Sequence, residues 1–103
     1  MNKYDDDFEK LLGKINELYY AKNDDYNDGD KWSNFDACNR IDIPTAKGIV
    51  VRMTDKFNRI LTLVRKRYKG IEASVSDEKL EDTLEDLAVY SLITILALKR
   101  EDN

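Results

Sequence analysis

The sequence contains no histidine and only one cysteine, Cys38, among its 103 residues. Without histidine, neither Ser-His-Asp nor Cys-His nucleophilic catalysis is available, and the commonest transition-metal ligand is missing. A single cysteine allows neither an intrachain disulfide nor a zinc site of the CxxC type. Any metal ion would therefore be held by oxygen atoms, which favours Mg²⁺, Mn²⁺ or Ca²⁺.

Glycine and proline are also scarce, with four glycines and one proline in the chain. The glycines are isolated from one another, so there is no glycine-rich loop of the kind that cradles phosphates. The longest apolar stretch, about 87–98, is too short to span a bilayer. The acidic N-terminal segment also lacks the apolar core of a signal peptide. These absences predict a cytoplasmic protein with no membrane partner.

Charge is abundant but nearly balanced, with 17 basic and 21 acidic residues and a net charge of −4. Binding to a nucleic-acid polymer requires a clustered positive surface, so no such partner is expected. Hydrophobic residues make up 42% of the chain, which argues for a folded core. The length suits one domain, 1–103, and is too short for two.

Apolar residues recur at three- and four-residue steps in three long segments and one short one, and no segment reads convincingly as a strand. The sequence therefore predicts an all-α fold, a small bundle of three long helices plus a short helix. The first predicted helix covers 5–22 and has Asp5 to Asp7 in its first turn, and a short helix capped by Ser33 is predicted over 32–40. The middle helix is predicted from Pro44 to about Tyr68, with Gly70 as the residue that stops it. The last helix is predicted to be capped by Ser76 and to end with Lys99 and Arg100.

Each of the two later helices has an expected core face. That of the middle helix comprises Val50, Met53, Phe57, Ile60, Leu61 and Val64. That of the last helix comprises Leu80, Leu84, Leu87, Ser91, Ile95 and Leu98.

Acidic side chains form a stripe on the opposite face of the last helix, where Glu78, Asp82 and Asp86 recur at four-residue steps beside Glu85. Glu78 is explained by the helix dipole, which favours negative charge in the first turn. Asp82 and Asp86 lie beyond that turn and need another explanation. The same face becomes apolar toward the C-terminus, which indicates that the acidic half borders a cleft.

The middle helix carries a complementary basic stripe, Arg52, Lys56 and Arg59. Two charged stripes on neighbouring helices are satisfied if they face each other or share a charged ligand. A triphosphate with Mg²⁺ fits both, since carboxylates bind the cation and cationic side chains bind phosphate oxygens. The alternative is that both stripes are solvated faces stabilised by pairs four residues apart.

Three sequence segments resemble a known family. They are "KNDDY" at 22–26, "VRMTDKFNRILTL" at 51–63 and "DEKLEDTLEDLAVYSLITI" at 77–95. Together they resemble the phage and bacterial family called nucleotide modification associated domain, type one, over roughly 22–98. Members usually have a glycine directly after the tyrosine of the first segment, whereas here Asn27 and Asp28 precede Gly29.

The last segment is also similar to the second metal-binding motif of MazG-like all-α nucleoside triphosphate pyrophosphatases. By that resemblance Asp82 and Asp86 would bind Mg²⁺ and take part in catalysis, with help from Glu78. The first acidic pair of those enzymes has no clear counterpart in this chain.

The resemblance implies a phage-type, Mg²⁺-dependent nucleotide-binding protein that hydrolyses a (deoxy)nucleoside triphosphate to release pyrophosphate, in the host cytoplasm if phage-encoded. Arg52, Lys56 and Arg59 would bind phosphate, and Lys22, Tyr26 and Trp32 would border the base or sugar. A homo-oligomer would complete the small bundle. The alternatives are a non-catalytic protein that sequesters a nucleotide or cyclic-nucleotide signal, and a helical interaction module.

Overall fold

The computed structural model describes residues 2–26, 30–71 and 73–102, with the side chains of 22–26 and 73–76 left out of the description. Four α-helices and one 3₁₀ turn lie in this part of the chain, and no strand does, which confirms the predicted all-α fold. The helices are α1 (Lys3–Tyr26), α2 (Ser33–Asp36), α3 (Thr45–Tyr68) and α4 (Ala73–Glu101), with the 3₁₀ turn at Ala37–Ile41. The chain divides into two compact units, Met1–Asn34 and Phe35–Asn103, so one domain over 1–103 stays a prediction.

Helix α1 begins earlier and ends later than the sequence predicts. Asn2 caps it, since the Asp5 N–H donates to Asn2 Oδ1 over 2.9 Å. The helix continues to Tyr26 instead of ending near Lys22. Asn and Asp are weak helix formers, but each added residue gains a backbone hydrogen bond, and no glycine or proline interrupts 14–26. The apolar stripe of α1 contains Phe8, Leu11, Leu12 and Leu18, all of which are exposed.

A short helical segment follows α1, close to the predicted range of 32–40. The α2 helix starts at Ser33, which is therefore its first residue and not the predicted N-cap, and the Ser33 hydroxyl donates to Asp30 O over 3.2 Å. The 3₁₀ turn follows and ends at Asp42, which adopts a left-handed φ of 64°. This turn then packs against α3.

Helices α3 and α4 form an antiparallel hairpin, and the turn between them starts where the sequence predicts. Gly70 has a φ of 71°, which a residue with a side chain rarely adopts. The Ile71 N–H donates to Lys66 O and the Gly70 N–H to Arg67 O, each over 3.1 Å. These two bonds form a Schellman motif, which closes the C-terminus of α3.

Helix α4 starts at Ala73, three residues before the predicted cap. Ser76 therefore lies inside the helix, and its assignment as the N-cap is wrong. Alanine is the strongest helix former, so a start at Ala73 is favourable once Gly70 has closed α3.

The hairpin core contains part of each predicted face, since Ile60 and Leu80 are buried as predicted. The buried apolar residues are Ala46, Ile49, Ile60 and Leu63 on α3 and Leu80, Ile93 and Ala97 on α4. Ile60, Leu63 and Leu80 form one cluster, against which Val64 and Leu87 pack.

Several residues predicted to lie in the core are exposed. They are Val50, Phe57 and Leu61 on α3 and Leu84, Ile95 and Leu98 on α4. Each helix carries apolar residues on two adjacent faces, and three- and four-residue periodicity is satisfied by either. Antiparallel pairing buries one face and leaves the other exposed.

Candidate functional site

Lys56 and Asp86 bring the predicted basic and acidic stripes into contact. Lys56 Nζ lies 3.3 Å from Asp86 Oδ2, and the two side chains are 28% and 30% exposed. Lys56 follows the core-facing positions of α3, between Met53 and Ile60, which directs its amine toward α4. The stripes on α3 and α4 therefore meet at the hairpin interface.

Two aromatic rings extend this contact toward Arg52. Lys56 Nζ lies 5.8 Å from the ring centroid of Tyr90, and the Tyr90 ring meets Phe35 edge-to-face at 6.1 Å. The Arg52 guanidinium lies 5.4 Å from the centroid of the Phe35 ring. Cation–π attraction and the edge-to-face contact stabilise this order of groups.

Helical geometry assigns the two stripes to one side of the hairpin. At 100° per residue, Arg52, Lys56 and Arg59 are turned from Ile60 by about 40–100° in one sense. Asp82 and Asp86 are turned from the fully buried Ala97 in the same sense by about 20–60°. On antiparallel neighbours, the same sense of rotation leads to the same side. We call Arg52, Lys56, Arg59, Asp82 and Asp86 the charged side.

Not every predicted site residue is drawn into a contact. Arg59, Glu78 and Asp82 are exposed. The side chains of Lys22 and Tyr26 lie outside the described part of the chain. Trp32 belongs to the unit Met1–Asn34 and not to the unit that contains the hairpin. Among the charged-side residues, the structure therefore joins Arg52, Lys56 and Asp86, and their neighbours flank them on the same surface.

Glu85 is the most buried carboxylate of α4, with 5% of its surface exposed. The sequence places it beside the acidic stripe but does not single it out from its neighbours.

The carboxylates do not form a ready metal cage. Within the described residues there is no group of three or more His, Cys, Asp or Glu side chains that could hold a metal ion together. Asp86 is engaged with Lys56, and Glu78 and Asp82 point into solvent. Mg²⁺ can also be bound through one or two carboxylates plus the phosphates of a nucleotide. The described carboxylates of α4 could serve in that second mode.

A second polar cluster, which the sequence did not indicate, joins the start of α3 and the end of α4 to α2 and the 3₁₀ turn. Asp36 Oδ1 accepts hydrogen bonds from Arg100 Nη2 and from Thr45 Oγ1, the latter over 2.6 Å. Asn39 Nδ2 donates to Thr45 Oγ1 over 3.2 Å. Thr45 is only 4% exposed, so this cluster satisfies a buried hydroxyl.

The charge on Asp36 is stabilised by this cluster. Burial raises the pKa of the carboxyl group, but the hydrogen bonds from Arg100 and Thr45 and the positive charge of Arg100 outweigh it. The pKa of Asp36 is therefore held below its ordinary value of 3.8. The carboxylate acts here as a structural acceptor.

Glu101 completes the same end of the hairpin. Pro44 occupies the N-cap of α3 and offers no side-chain acceptor. The Ala46 N–H instead donates to Glu101 Oε1 over 3.1 Å. A carboxylate from the end of α4 thus caps the start of α3, where the helix dipole favours negative charge.

The comparisons with known proteins add no relative. No protein-family model matches the chain, and neither a curated protein nor a solved structure is significantly similar to it. The resemblance to the nucleotide modification family therefore stays a hypothesis. In the described part of the chain, every helix is too short or too polar to cross a membrane.

Proposed function

We propose that this protein binds a nucleotide, with the phosphates on the charged side of the hairpin. The observation that carries the proposal is the contact between Lys56 and Asp86, one residue from each charged stripe, on a surface that also carries Arg52, Arg59 and Asp82. The basic groups supply the donors that phosphate oxygens require, and the arginines add planar, two-pronged donors.

The proposed ligand is a (deoxy)nucleoside triphosphate, and its pyrophosphohydrolase-type cleavage is the activity that the family resemblance implies. In this proposal Arg52 and Arg59 bind phosphate directly, because Arg59 is exposed and Arg52 is half-buried on the same surface. Lys56 supplies positive charge between them. Asp82 lies on the neighbouring helix, where it would meet the cation that accompanies a nucleotide. Tyr90 and Phe35 are the nearest aromatic surfaces.

A second candidate is a protein that sequesters a nucleotide or cyclic nucleotide without chemistry. The engagement of Asp86 with Lys56 favours it, since a carboxylate in an ion pair is not a free metal ligand. The basic stripe alone is sufficient for phosphate binding. The predicted homo-oligomer is compatible with either candidate.

Titration calorimetry and pyrophosphate release distinguish the candidates. The purified protein is titrated with a panel of nucleoside triphosphates and cyclic nucleotides, with Mg²⁺ and with EDTA, and the products are then identified. Mg²⁺-dependent pyrophosphate release supports the hydrolase. Binding in EDTA with the ligand recovered unchanged supports sequestration. If no nucleotide binds under either condition, the nucleotide proposal is wrong and an interaction module remains.

A matched pair of variants on α3 tests the location. Arg59→Ala removes an exposed cation of the charged side, whereas Arg65→Ala removes an exposed cation that helical geometry turns to the other side. We expect Arg59→Ala to weaken nucleotide binding about tenfold or more, since a hydrogen bond to a charged group contributes 1.5–3 kcal/mol. Arg65→Ala should leave the affinity unchanged. Equal effects in both variants would indicate only general electrostatic attraction.

A further inference from the structure

The hairpin presents an exposed apolar surface opposite its charged side. Val50, Phe57 and Leu61 are 46%, 53% and 41% exposed, and they fall within an arc of about 40° on α3. On α4, Leu84, Ile95 and Leu98 are 48%, 50% and 49% exposed. These six residues are turned from the core positions in the sense opposite to the charged residues. We call them the apolar side.

We infer that the apolar side is the interface between two copies of this chain, which pair their hairpins into a four-helix bundle. The exposed area of the six side chains is on the order of 500 Å², near the upper end of the largest apolar patch on an ordinary monomer. With its polar margins, a surface of this size supplies the roughly 800 Å² per partner of a specific interface.

The pattern on α4 is self-complementary about a two-fold axis. Two copies of α4 packed antiparallel across an axis near residues 89–90 place Leu84 of one copy against Ile95 of the other. The same axis brings Glu81 toward Lys99 of the second copy, at both ends of the contact. Ala88 lies at the centre, where a small side chain lets two helices approach closely. An isologous dimer requires this reciprocal matching.

The stripe on α3 matches the same axis. Two antiparallel copies of α3 pair Val50 of one with Leu61 of the other about a point between residues 55 and 56. Within the hairpin, the contacts of Thr94 with Met53 and of Arg67 with Asp77 set the register, so that this point is level with residues 89–90 of α4. One axis therefore satisfies both helices, which an accidental apolar surface would not be expected to do.

In this arrangement the apolar side forms the dimer interface and the charged side stays accessible. Pairing through the apolar side leaves Arg52, Arg59 and Asp82 on the outer surfaces of the bundle. The inference is independent of the nucleotide proposal, since it concerns the opposite surface and needs no ligand. Failure of one leaves the other standing.

Sedimentation velocity of the full chain tests the inference, with two neighbouring residues as a matched pair. Ile95 and Leu96 are 50% and 52% exposed, but helical geometry turns Leu96 away from the apolar side. We expect the unaltered chain to sediment at about twice its 12.0 kDa mass. Ile95→Lys should sediment as a monomer, and Leu96→Lys as a dimer.

Folding of each variant is followed by circular dichroism, and Phe57→Lys serves as a second disruption on the other helix. The dimer should also show a melting temperature that rises with protein concentration, and Ile95→Lys should lose that dependence while remaining helical. The inference is overturned if the unaltered chain stays monomeric at hundreds of micromolar. It is equally overturned if Ile95→Lys and Phe57→Lys remain dimeric, or if Leu96→Lys dissociates as readily as Ile95→Lys.

Discussion

Gly48 of α3 and Cys38 of the 3₁₀ turn approach so closely that a methyl group cannot be placed between them. A Cβ atom at Gly48 would lie 2.6 Å from Cys38 Sγ, far inside the contact distance. The Cys38 thiol donates to Phe35 O at 3.4 Å, which keeps the sulfur in place against α3. Through this contact the turn is seated on α3, and Phe35 is held beside Arg52 and Tyr90.

The contact between Gly48 and Cys38 predicts that Gly48→Ala affects the free energy of unfolding differently in the unaltered chain and in a Cys38→Ala variant. Gly48→Ala should destabilise the hairpin by about 1–3 kcal/mol, the usual cost of overpacking. In a Cys38→Ala background the sulfur is absent and the nearest remaining atom, Cys38 Cβ, is 3.4 Å away. There Gly48→Ala should cost little or should stabilise α3 by up to about 1 kcal/mol, the helix propensity of alanine over glycine. Urea denaturation of the four proteins measures both values.

Gly13→Ala is the control for that propensity term. It lies inside α1, and an added Cβ meets nothing within 4 Å. The substitution should therefore stabilise the helical state of α1 by about 0.5–1 kcal/mol. If Gly48→Ala behaves like Gly13→Ala in the unaltered background, the close approach to Cys38 does not exist in solution.

The Lys56–Asp86 contact predicts a measurable but modest coupling energy. The two side chains are less than one-third exposed, so the pair should contribute about 0.5–1 kcal/mol, near the upper end for ion pairs at a protein surface. A double-mutant cycle with Lys56→Met and Asp86→Asn isolates this term in thermal or urea unfolding. A coupling that vanishes at low salt as well as at high salt contradicts the contact.

The pKa of Asp36 predicts a pH dependence of stability. Since the pKa is lower in the folded state than in the unfolded chain, the charged cluster stabilises the fold above the ordinary value of 3.8. This stabilisation is lost as the pH falls from about that value through the folded-state pKa. Asp36→Asn should be less stable than the unaltered chain at neutral pH, and the difference should shrink in acid. A difference that stays constant down to pH 2 contradicts this assignment.

The carboxylate of Glu101 predicts a cap that acts across the hairpin. Glu101→Ala should destabilise the fold by about 1 kcal/mol, since it leaves the Ala46 N–H without its acceptor. Glu101→Gln keeps an acceptor oxygen and should retain most of that stability. Unfolding monitored by circular dichroism measures both. Equal losses in the two variants would mean that the charge, and not the hydrogen bond, stabilises the helix start.

The outcome at each helix end follows from how local its signal is. The stop at Gly70 is predictable because a left-handed residue after α3 requires only the glycine itself. The extension of α4 to Ala73 and the capping of α3 by Glu101 are not, since the first depends on weak propensities and the second joins residues 55 positions apart. The Asp36–Arg100 pair is missed for the same reason.

The sequence by itself determined that the chain is helical, where α3 ends, and that α3 and α4 each carry a charged stripe. Those features depend on residues a few positions apart, and helix geometry fixes them without reference to any other element. Only the tertiary structure decided which apolar face of each helix is buried, because Phe57 and Ile60 satisfy the same periodicity. That choice depends on the antiparallel partner, and it puts the charged stripes on one side of the hairpin and Val50, Phe57, Leu61, Leu84, Ile95 and Leu98 on the other.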